Sequence, residues 1–534
     1  MKRVVEPYSD QYAHLLFDES REVGRAEFVA QPHNEAELIE AVRFCYDNNI
    51  GLTVQGALTG LTGGASPDGG LILNLSRMNR ILGVRWDELG RCLMRVQSGI
   101  ALVSVRRALS TKSVDTTSWS DESHAAFASM KAGAYFFSPD PTEPTASLGG
   151  MASCNACGAR SFLYGATRGH INALRVVLAD GSTVELVRGR DKADGREFAI
   201  HTDSGGGIIS GTLPDFDTPS VKDAGYFVRP GMDLVDLFIG SQGTLGIISE
   251  LELILLPAPR LLAGVTAFLP HDDDALHYVA TMKRFTPKPA SIEFFNRDAL
   301  ELVEAQKAFT PAFRQLQDLP DPFDCAVYVE LNLNDDAELY DALAGISINI
   351  VESGGDPEQT WVARDSLELE KLLNFRHSIP ETIDIHVEQN KRNEPAITIL
   401  STDMAVPDER FTELFHMYKH DLAASGLPSL IFGHIGENHV HPNILARNLD
   451  EYQRGHRLFE KWARDVTAMG GTITAEHGAG KLKRRLAAIM YGPERMRQLW
   501  ELKCILDPKL LLGPGNILSE LSETALPVPT ETDL

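Results

Sequence analysis

SPDPTEPTASLGGMASCNACGARSFLYGATRGHI, running from Ser138 to Ile171, is built largely from small side chains. Ser147, Gly149, Gly150, Ala152, Ser153, Asn155, Ala156, Gly158 and Ala159 carry so little bulk that the backbone can pack closely on a large flat ligand. Two other glycine-rich segments accompany it. Upstream, Gln55-Gly-Ala-Leu-Thr-Gly60-Leu-Thr-Gly63-Gly64 follows a strand, and its glycines would let backbone N–H groups approach a pyrophosphate. It is neither GxGxxG opening a helix nor a Walker loop ending in Lys-Ser/Thr, so alone it reads best as a plain turn. Downstream, Leu237-Phe-Ile-Gly-Ser-Gln-Gly-Thr-Leu-Gly246-Ile-Ile again sets glycines at the start of a strand.

Around these segments the pattern is mixed α/β. Asn34 to Asn49 predicts an amphipathic helix, with Asn34 as cap, Glu37 at the third helical position, and Leu38, Ala41, Val42 and Cys45 on one face. Strands are expected at Ile50–Val54, in GGLILNL, from Arg175 to Leu178 and at Ile247–Leu255. Residues 188–220 are rich in Gly, Asp and Ser and read as a surface insertion or long loop. Pro257-Ala258-Pro259 marks a boundary, beyond which helical patterns alternate with strand-like runs such as CAVYVELNL. The tail TALPVPTETDL is polar and reads as disordered.

Composition narrows the function. The chain has 534 residues, 50 basic and 74 acidic side chains, and a net charge of −24. Such an excess repels nucleic acid and anionic lipid, and it demands local cations for any carboxylate substrate. Cys154 and Cys157 form the one close cysteine pair; without a second CxxC they read as small buried side chains. The N-terminus lacks an apolar secretory region, and no apolar run suits a membrane-spanning helix. A cytoplasmic chain is expected, with a peripheral place on the inner face of the membrane left open.

The densest histidine cluster is Gly433-His-Ile-Gly-Glu-Asn-His-Val-His441-Pro-Asn443. Strands at Ile431–Gly436 and His439–Ile444 joined by a Glu437-Asn438 turn would set 434 opposite 441. The two imidazoles would then converge on one metal. Asn438 suits the positive φ of such a turn better than Glu437 does. His439 falls on the same face, as an alternative ligand or as a pocket residue. Downstream, Thr474-Ala-Glu476-His477-Gly478 offers Glu476 as a hard oxygen donor, an open catalytic set rather than a closed structural one.

The three glycine-rich segments resemble the FAD-binding domain of the vanillyl-alcohol-oxidase-like flavoproteins, most closely the D-lactate and D-2-hydroxyglutarate dehydrogenase branch. The resemblance runs from about Gln31 to Leu518. PDP, T-x-S/T-x-GG, N-A-x-G and YG in the second segment carry it furthest. It implies an α+β fold: a two-part FAD-binding domain over 1–258, an α/β substrate or cap domain over 259–430, a C-terminal helical segment over 431–522 carrying the metal and catalytic motifs, and a disordered tail over 523–534. It implies that Gln55, Gly56, Ala57, Leu58, Thr59, Gly60, Gly63 and Gly64 cradle the pyrophosphate. Pro139, Asp140, Pro141, Ser147, Leu148, Gly149, Gly150, Ala152, Asn155, Gly158, Ala159, Tyr164 and Gly165 would wrap the isoalloxazine and ribityl chain. Gly243, Gly246, Ile247 and Ile248 would line the adenine side. Gln55 stands where arginine is common and Gln242 where glutamate is common. With no His or Cys assignable to a covalent link, non-covalent FAD is expected.

The histidine stretches look like the family motifs GHxGDGNxH and EHGxGxxK. That match implies His434, His441 and Glu476 as ligands of Zn²⁺ or Mn²⁺, with His477 as the acid–base residue. It further implies Arg376 as the partner of the substrate carboxylate and Asn443 as a substrate neighbour. Here Asp-Gly becomes Glu437-Asn438, and the family asparagine becomes His439. Ser401 takes the place of a lysine found in the D-2-hydroxyglutarate branch, which tilts the substrate toward D-lactate or another monocarboxylate. The expected reaction is oxidation of a D-2-hydroxy acid to the 2-oxo acid, with hydride passing to flavin N5. The electron acceptor would be a quinone, a cytochrome or an electron-transfer flavoprotein, and a homodimer is compatible with the sequence. The alternatives are D-2-hydroxyglutarate or glycolate oxidation, a metal-independent alcohol oxidase of the same fold, a non-catalytic flavin subunit of a glycolate oxidase assembly, and a flavin-free zinc hydrolase.

Overall fold

Asn34 caps the first helix, Glu35–Asn48, as the pattern requires: its side chain accepts from the Glu37 amide at 3.0 Å. Leu38, Ala41, Val42 and Cys45 are buried on one face. In the computed structural model, which describes residues 4–203, 207–219, 222, 224–320 and 323–518, this helix shares a core with the first sheet. That sheet comprises β1 (Val5–Pro7), β2 (Phe28–Ala30), β3 (Leu52–Gln55) and β4 (Leu71–Asn74), in the order β1-β2-β4-β3. β4 runs parallel to both β2 and β3. The far end of the chain returns to this sheet. The Leu52 amide donates to Leu511 at 2.7 Å, and the Gly513 amide donates to Leu52 at 2.9 Å.

The second sheet is antiparallel. β5 (Ile81–Trp86), β6 (Cys92–Gln97), β7 (Tyr135–Phe136), β8 (Ile171–Val177) and β9 (Thr183–Val187) come first in the chain. A separate hairpin follows, β10 (Glu197–His201) with β11 (Ile208–Thr212), and β12 (Ile247–Pro257) then enters between β6 and β8. The hairpin corrects only the loop half of the reading of 188–220 as an insertion or long loop, at residues 197–201 and 208–212. Phe198 and Ile200 are buried between exposed neighbours, a period-2 signal too short to stand out from the polar composition around it.

The third sheet holds β13 (Leu261–Leu269), β14 (Ser291–Asn296), β15 (Cys325–Leu333), β16 (Trp361–Ala363), β17 (Ser429–Gly433) and β18 (His441–Ile444), in the order β16-β13-β15-β14-β17-β18. Every pairing in it is antiparallel. Residue 430 therefore does not divide this sheet: β17 and β18 close one edge of it, next to β14. The chain then runs through the helices Leu449–Ala468 and Arg484–Leu506. Residues 519–534, including the tail expected to be disordered, lie outside the described residues. Among the described residues no helix is long and apolar enough to cross a membrane.

The β17–β18 connection differs from the expected two-residue turn. Phe432 pairs with His441 and Ile431 with Pro442, so His434 does not face His441 in the ladder. Ile435–Glu437 form a 3₁₀ turn instead, and only Asn438 takes a positive φ, of 62°. A two-residue hairpin would have put Glu437 in the left-handed region as well, and a side chain of that kind disfavours it.

Candidate active site

Gly433 ends β17 with a φ of 128°, and a β-carbon there would lie 2.5 Å from Cδ2 of His441. Only glycine lets the His441 ring lie over this backbone. His434 follows at once, beside Glu293 of β14, and its Nδ1 is 2.7 Å from Glu293 Oε1. The second half of the cluster is the loop Thr474–His477. Asp403 holds it: Oδ2 accepts from Thr474 Oγ1 at 2.8 Å and from the amides of Ala475, Glu476 and His477 at 3.0, 2.8 and 2.8 Å. The Lys483 ammonium pairs with the other oxygen of Asp403. The segment carrying Asp403 also bridges Ser401 to Asn443 and Ala405 to His439. One extended stretch thus ties both halves together.

The result is a convergence. Glu476 Oε1 lies 3.3 Å from His434 Nε2, 3.2 Å from His441 Nε2 and 3.4 Å from His477 Nε2. One donor atom from each of His434, His439, His441 and Glu476 falls within 4.8 Å of the others. Burial favours neutral forms, yet the imidazoles hold the Glu476 carboxyl well below its ordinary range. Burial lowers His434 too, but Glu293 and Glu476 outweigh it and raise this group to about 10. Burial, with His434 alongside, pushes His439 well below the ordinary histidine value. Both ring nitrogens of His439 and Nδ1 of His441 are buried without a hydrogen-bond partner. Nitrogens left bare in this way, beside a carboxylate, fit a divalent metal ion.

Arg376 is buried on the helix Ser366–Lys391. Its Nε donates to Glu293 Oε2 at 2.9 Å. Its two terminal nitrogens have no hydrogen-bond partner among the described residues, although Asp140 and Glu476 are near enough to act on its charge, so the outer edge of the guanidinium can take a carboxylate in bidentate fashion. Asn443 is buried and donates from Nδ2 to the His441 carbonyl at 2.8 Å. Ser401 brings no charge to this wall.

The three glycine-rich segments lie against this cluster. Lys481 N donates to the Thr62 carbonyl at 2.9 Å, Gly480 N to Gln242 Oε1 at 2.7 Å, and Cys157 Sγ sits 3.6 Å from the Ala475 carbonyl. Close approach also joins the segments to one another: a β-carbon at Gly56 would lie 2.0 Å from Ser147 Oγ, and the Gln242 amide donates to the Ser153 carbonyl at 2.9 Å. Asn155 takes a positive φ at the end of the helix Leu148–Cys154. Tyr164 reaches the third sheet through Asn332. Gly246 packs on Val176, and Ile247 and Ile248 enter β12 as buried residues. Between Ala57 and Gly64 no backbone amide meets a protein acceptor among the described residues, and Leu58 and Gly63 have φ of 64° and 70°. Such unpaired amides with alternating backbone handedness fit an anionic phosphate group. Gln55 contributes differently than expected. Its amide donates to the Leu15 and Ala65 carbonyls at 2.7 and 2.8 Å, which pins the loop and leaves the side chain no role on a phosphate.

Sequence reasoning passed over Glu293 and Asp403, and it quoted Lys483 only as the last residue of the EHGxGxxK match, without a role. The signal for Glu293 was present: a lone carboxylate in the apolar strand Ser291-Ile-Glu-Phe-Phe, where an unpaired charge is not tolerated. Asp403 lies in Thr402-Asp-Met-Ala-Val, whose importance depends on contacts some seventy residues away, at Thr474–His477.

Comparison with known proteins gives two family matches. Residues 259–517 match the FAD linked oxidases, C-terminal domain, and residues 26–135 and 122–187 match the FAD binding domain. The chain is 26% identical to a D-lactate dehydrogenase of Anaerostipes hadrus, across 97% of this chain and 95% of that one. It is also 26% identical to the glycolate oxidase subunit GlcD of Bacillus subtilis, across 92% and 89%. A mitochondrial D-2-hydroxyglutarate dehydrogenase of Rattus norvegicus is 24% identical, across 93% and 78%. Among solved structures, an alkyldihydroxyacetonephosphate synthase shares the fold at a TM-score of 0.61 and 14% identity, across 96% and 82%. The FAD binding domain removes the flavin-free hydrolase from consideration.

Proposed function

The chain belongs to the FAD-linked oxidases, and from that premise we propose that it oxidises a D-2-hydroxy acid, preferentially a monocarboxylate such as D-lactate, to the 2-oxo acid with the help of a divalent metal. The observation that carries this reading is the meeting of His434, His441, Glu476 and His477 beside the glycine-rich segments, with Arg376 joined to His434 through Glu293. The relatives named for D-lactate, glycolate and D-2-hydroxyglutarate support the substrate class.

In this mechanism Arg376 receives the substrate carboxylate on its free edge, and Glu293 fixes the plane of the guanidinium. His434, His441 and Glu476 would hold the metal. The amides of the 56–64 loop and the small residues of 139–165 and 243–248 would hold FAD. When bound, the metal would acidify the α-hydroxyl and the flavin would accept the C2 hydrogen as hydride. His477 takes the hydroxyl proton. Its Nδ1 lies toward Asp403, 3.7 Å from Oδ1, and its Nε2 is 3.4 Å from Glu476 Oε1, which sets the ring beside the metal-binding carboxylate. Ser401, where a lysine would recognise a second carboxylate, favours a monocarboxylate.

The test is anaerobic mixing of the flavin-loaded protein with D- and L-2-hydroxy acids, with and without Zn²⁺ or Mn²⁺. Bleaching of the flavin by D-monocarboxylates is expected, and a chelator should abolish it while the spectrum of bound flavin persists. Bleaching by simple alcohols at the same rate with and without metal would establish the metal-independent oxidase instead.

A further inference from the structure

His439 is one of three departures from the GHxGDGNxH motif, with Glu437 and Asn438, and the only one of the three that brings a further imidazole. It is completely buried, and neither ring nitrogen has a partner. Its backbone is fixed by the bridge to Ala405 and by the left-handed turn at Asn438 that Lys283 holds. The ring centroid is 5.0 Å from that of His434 and 5.5 Å from that of His441, at interplanar angles of 67° and 82°. The His434 and His441 rings stand at 82° to each other, 5.4 Å apart. Three imidazoles thus face one small volume from three directions, and Glu476 closes the fourth side. Donors around a tetrahedral ion, each about 2.1 Å from it, lie about 3.4 Å from one another. The four donors here, all within 4.8 Å before any ion draws them in, are close to that arrangement.

We infer that His439 is a fourth protein ligand, giving a three-imidazole, one-carboxylate site selective for zinc-like ions. This rests on the metal-assisted reading above. A water bridge is the competing way to satisfy a buried imidazole, but here the ring is enclosed by two other imidazoles and a carboxylate that converge on the same volume. Three nitrogen donors favour Zn²⁺ or Co²⁺ over Mn²⁺, which prefers oxygen. With a metal held by these four residues, the substrate hydroxyl would be an additional donor, an expansion that zinc can accommodate.

The experiment uses flavin-loaded, metal-stripped protein and its His439→Asn variant. Zn²⁺ affinity is measured by competition with a chromophoric chelator, and Co²⁺ uptake by visible bands beyond the flavin absorbance. The variant should lose about 100-fold or more in Zn²⁺ affinity, at or above the upper end of what outer-shell changes cost. It should lose far less for Mn²⁺, and its Co²⁺ bands should weaken. Equal Zn²⁺ affinity and an unchanged Co²⁺ spectrum would overturn the assignment while leaving the metal-assisted function in place. Absence of metal uptake by the unmodified protein would overturn both. X-ray absorption at the zinc edge of the unmodified protein needs no variant: three imidazoles are expected, and two would refute the inference.

Discussion

One carboxylate oxygen, Glu476 Oε1, lies within 3.4 Å of three imidazoles. Among these, His477 keeps the most solvent access and stacks on His441 at 5.2 Å. That position suits a residue that meets substrate. His477→Ala should lower turnover by about 10²–10⁴-fold with flavin still bound, and parental turnover in that variant would remove His477 from the role. Glu293 acts at one remove, between Arg376 and His434. Burial would raise its pKa, but Arg376 and His434 outweigh burial and hold it at about 2. An unfolded glutamate titrates near ~4.3. The interaction therefore stabilises the metal-free protein fully above that pH and is lost as pH falls through it toward 2. Thermal unfolding across this acid window should show a steeper loss for the parent than for Glu293→Gln. At neutral pH the variant should be less stable by about 3–5 kcal/mol, because the buried Arg376 guanidinium loses its hydrogen-bonded counter-charge. Parallel pH profiles for the two proteins would contradict this account.

Elements answer to local rules until a distant contact intervenes. The helix Glu35–Asn48 was legible from its cap and its apolar spacing, and so were β12 and the glycine-rich character of 138–165. The turn after β17 was not, because its length depends on which residue bears the positive φ, and His434 reaches the cluster from beyond the ladder. The convergence of His434 with His441 was nevertheless readable from their spacing, since either register leaves both near one sheet edge. Asp403 was invisible: its partners are amides that only the folded loop presents. A prediction at this scale concerns Gly158, whose φ is 155° and where a β-carbon would sit 1.8 Å from the Asp140 carbonyl oxygen. Gly158→Ala must push the 139–141 turn away from the 155–159 turn, at a cost of at least about 1 kcal/mol. The ratio of bound flavin to protein should fall in the purified variant. Full occupancy would mean that this contact does not shape the flavin site.

At the scale of the molecule, the net charge of −24 opposes an anionic substrate. Raising ionic strength from about 0.01 M to 0.15 M shortens the screening length from about 30 Å to 8 Å. The kcat/KM for a 2-hydroxy carboxylate should therefore rise with salt, up to about tenfold where encounter limits the rate. A fall with added salt would place the local field of Arg376 above the global one. Motifs spread along the chain made the FAD-binding and oxidase matches readable, but not the contact between Leu52 and residues 511–513. Leu511 to Gly513 run alongside Leu52 at the edge of the first sheet. A ribosome must therefore release residues as far as Gly513 before the border strand at Leu52 gains this neighbour, and the nascent sheet waits until then with that border open. Separately expressed halves would inherit the same exposed border, which makes this protein a poor candidate for splitting at the seam between its two named domains.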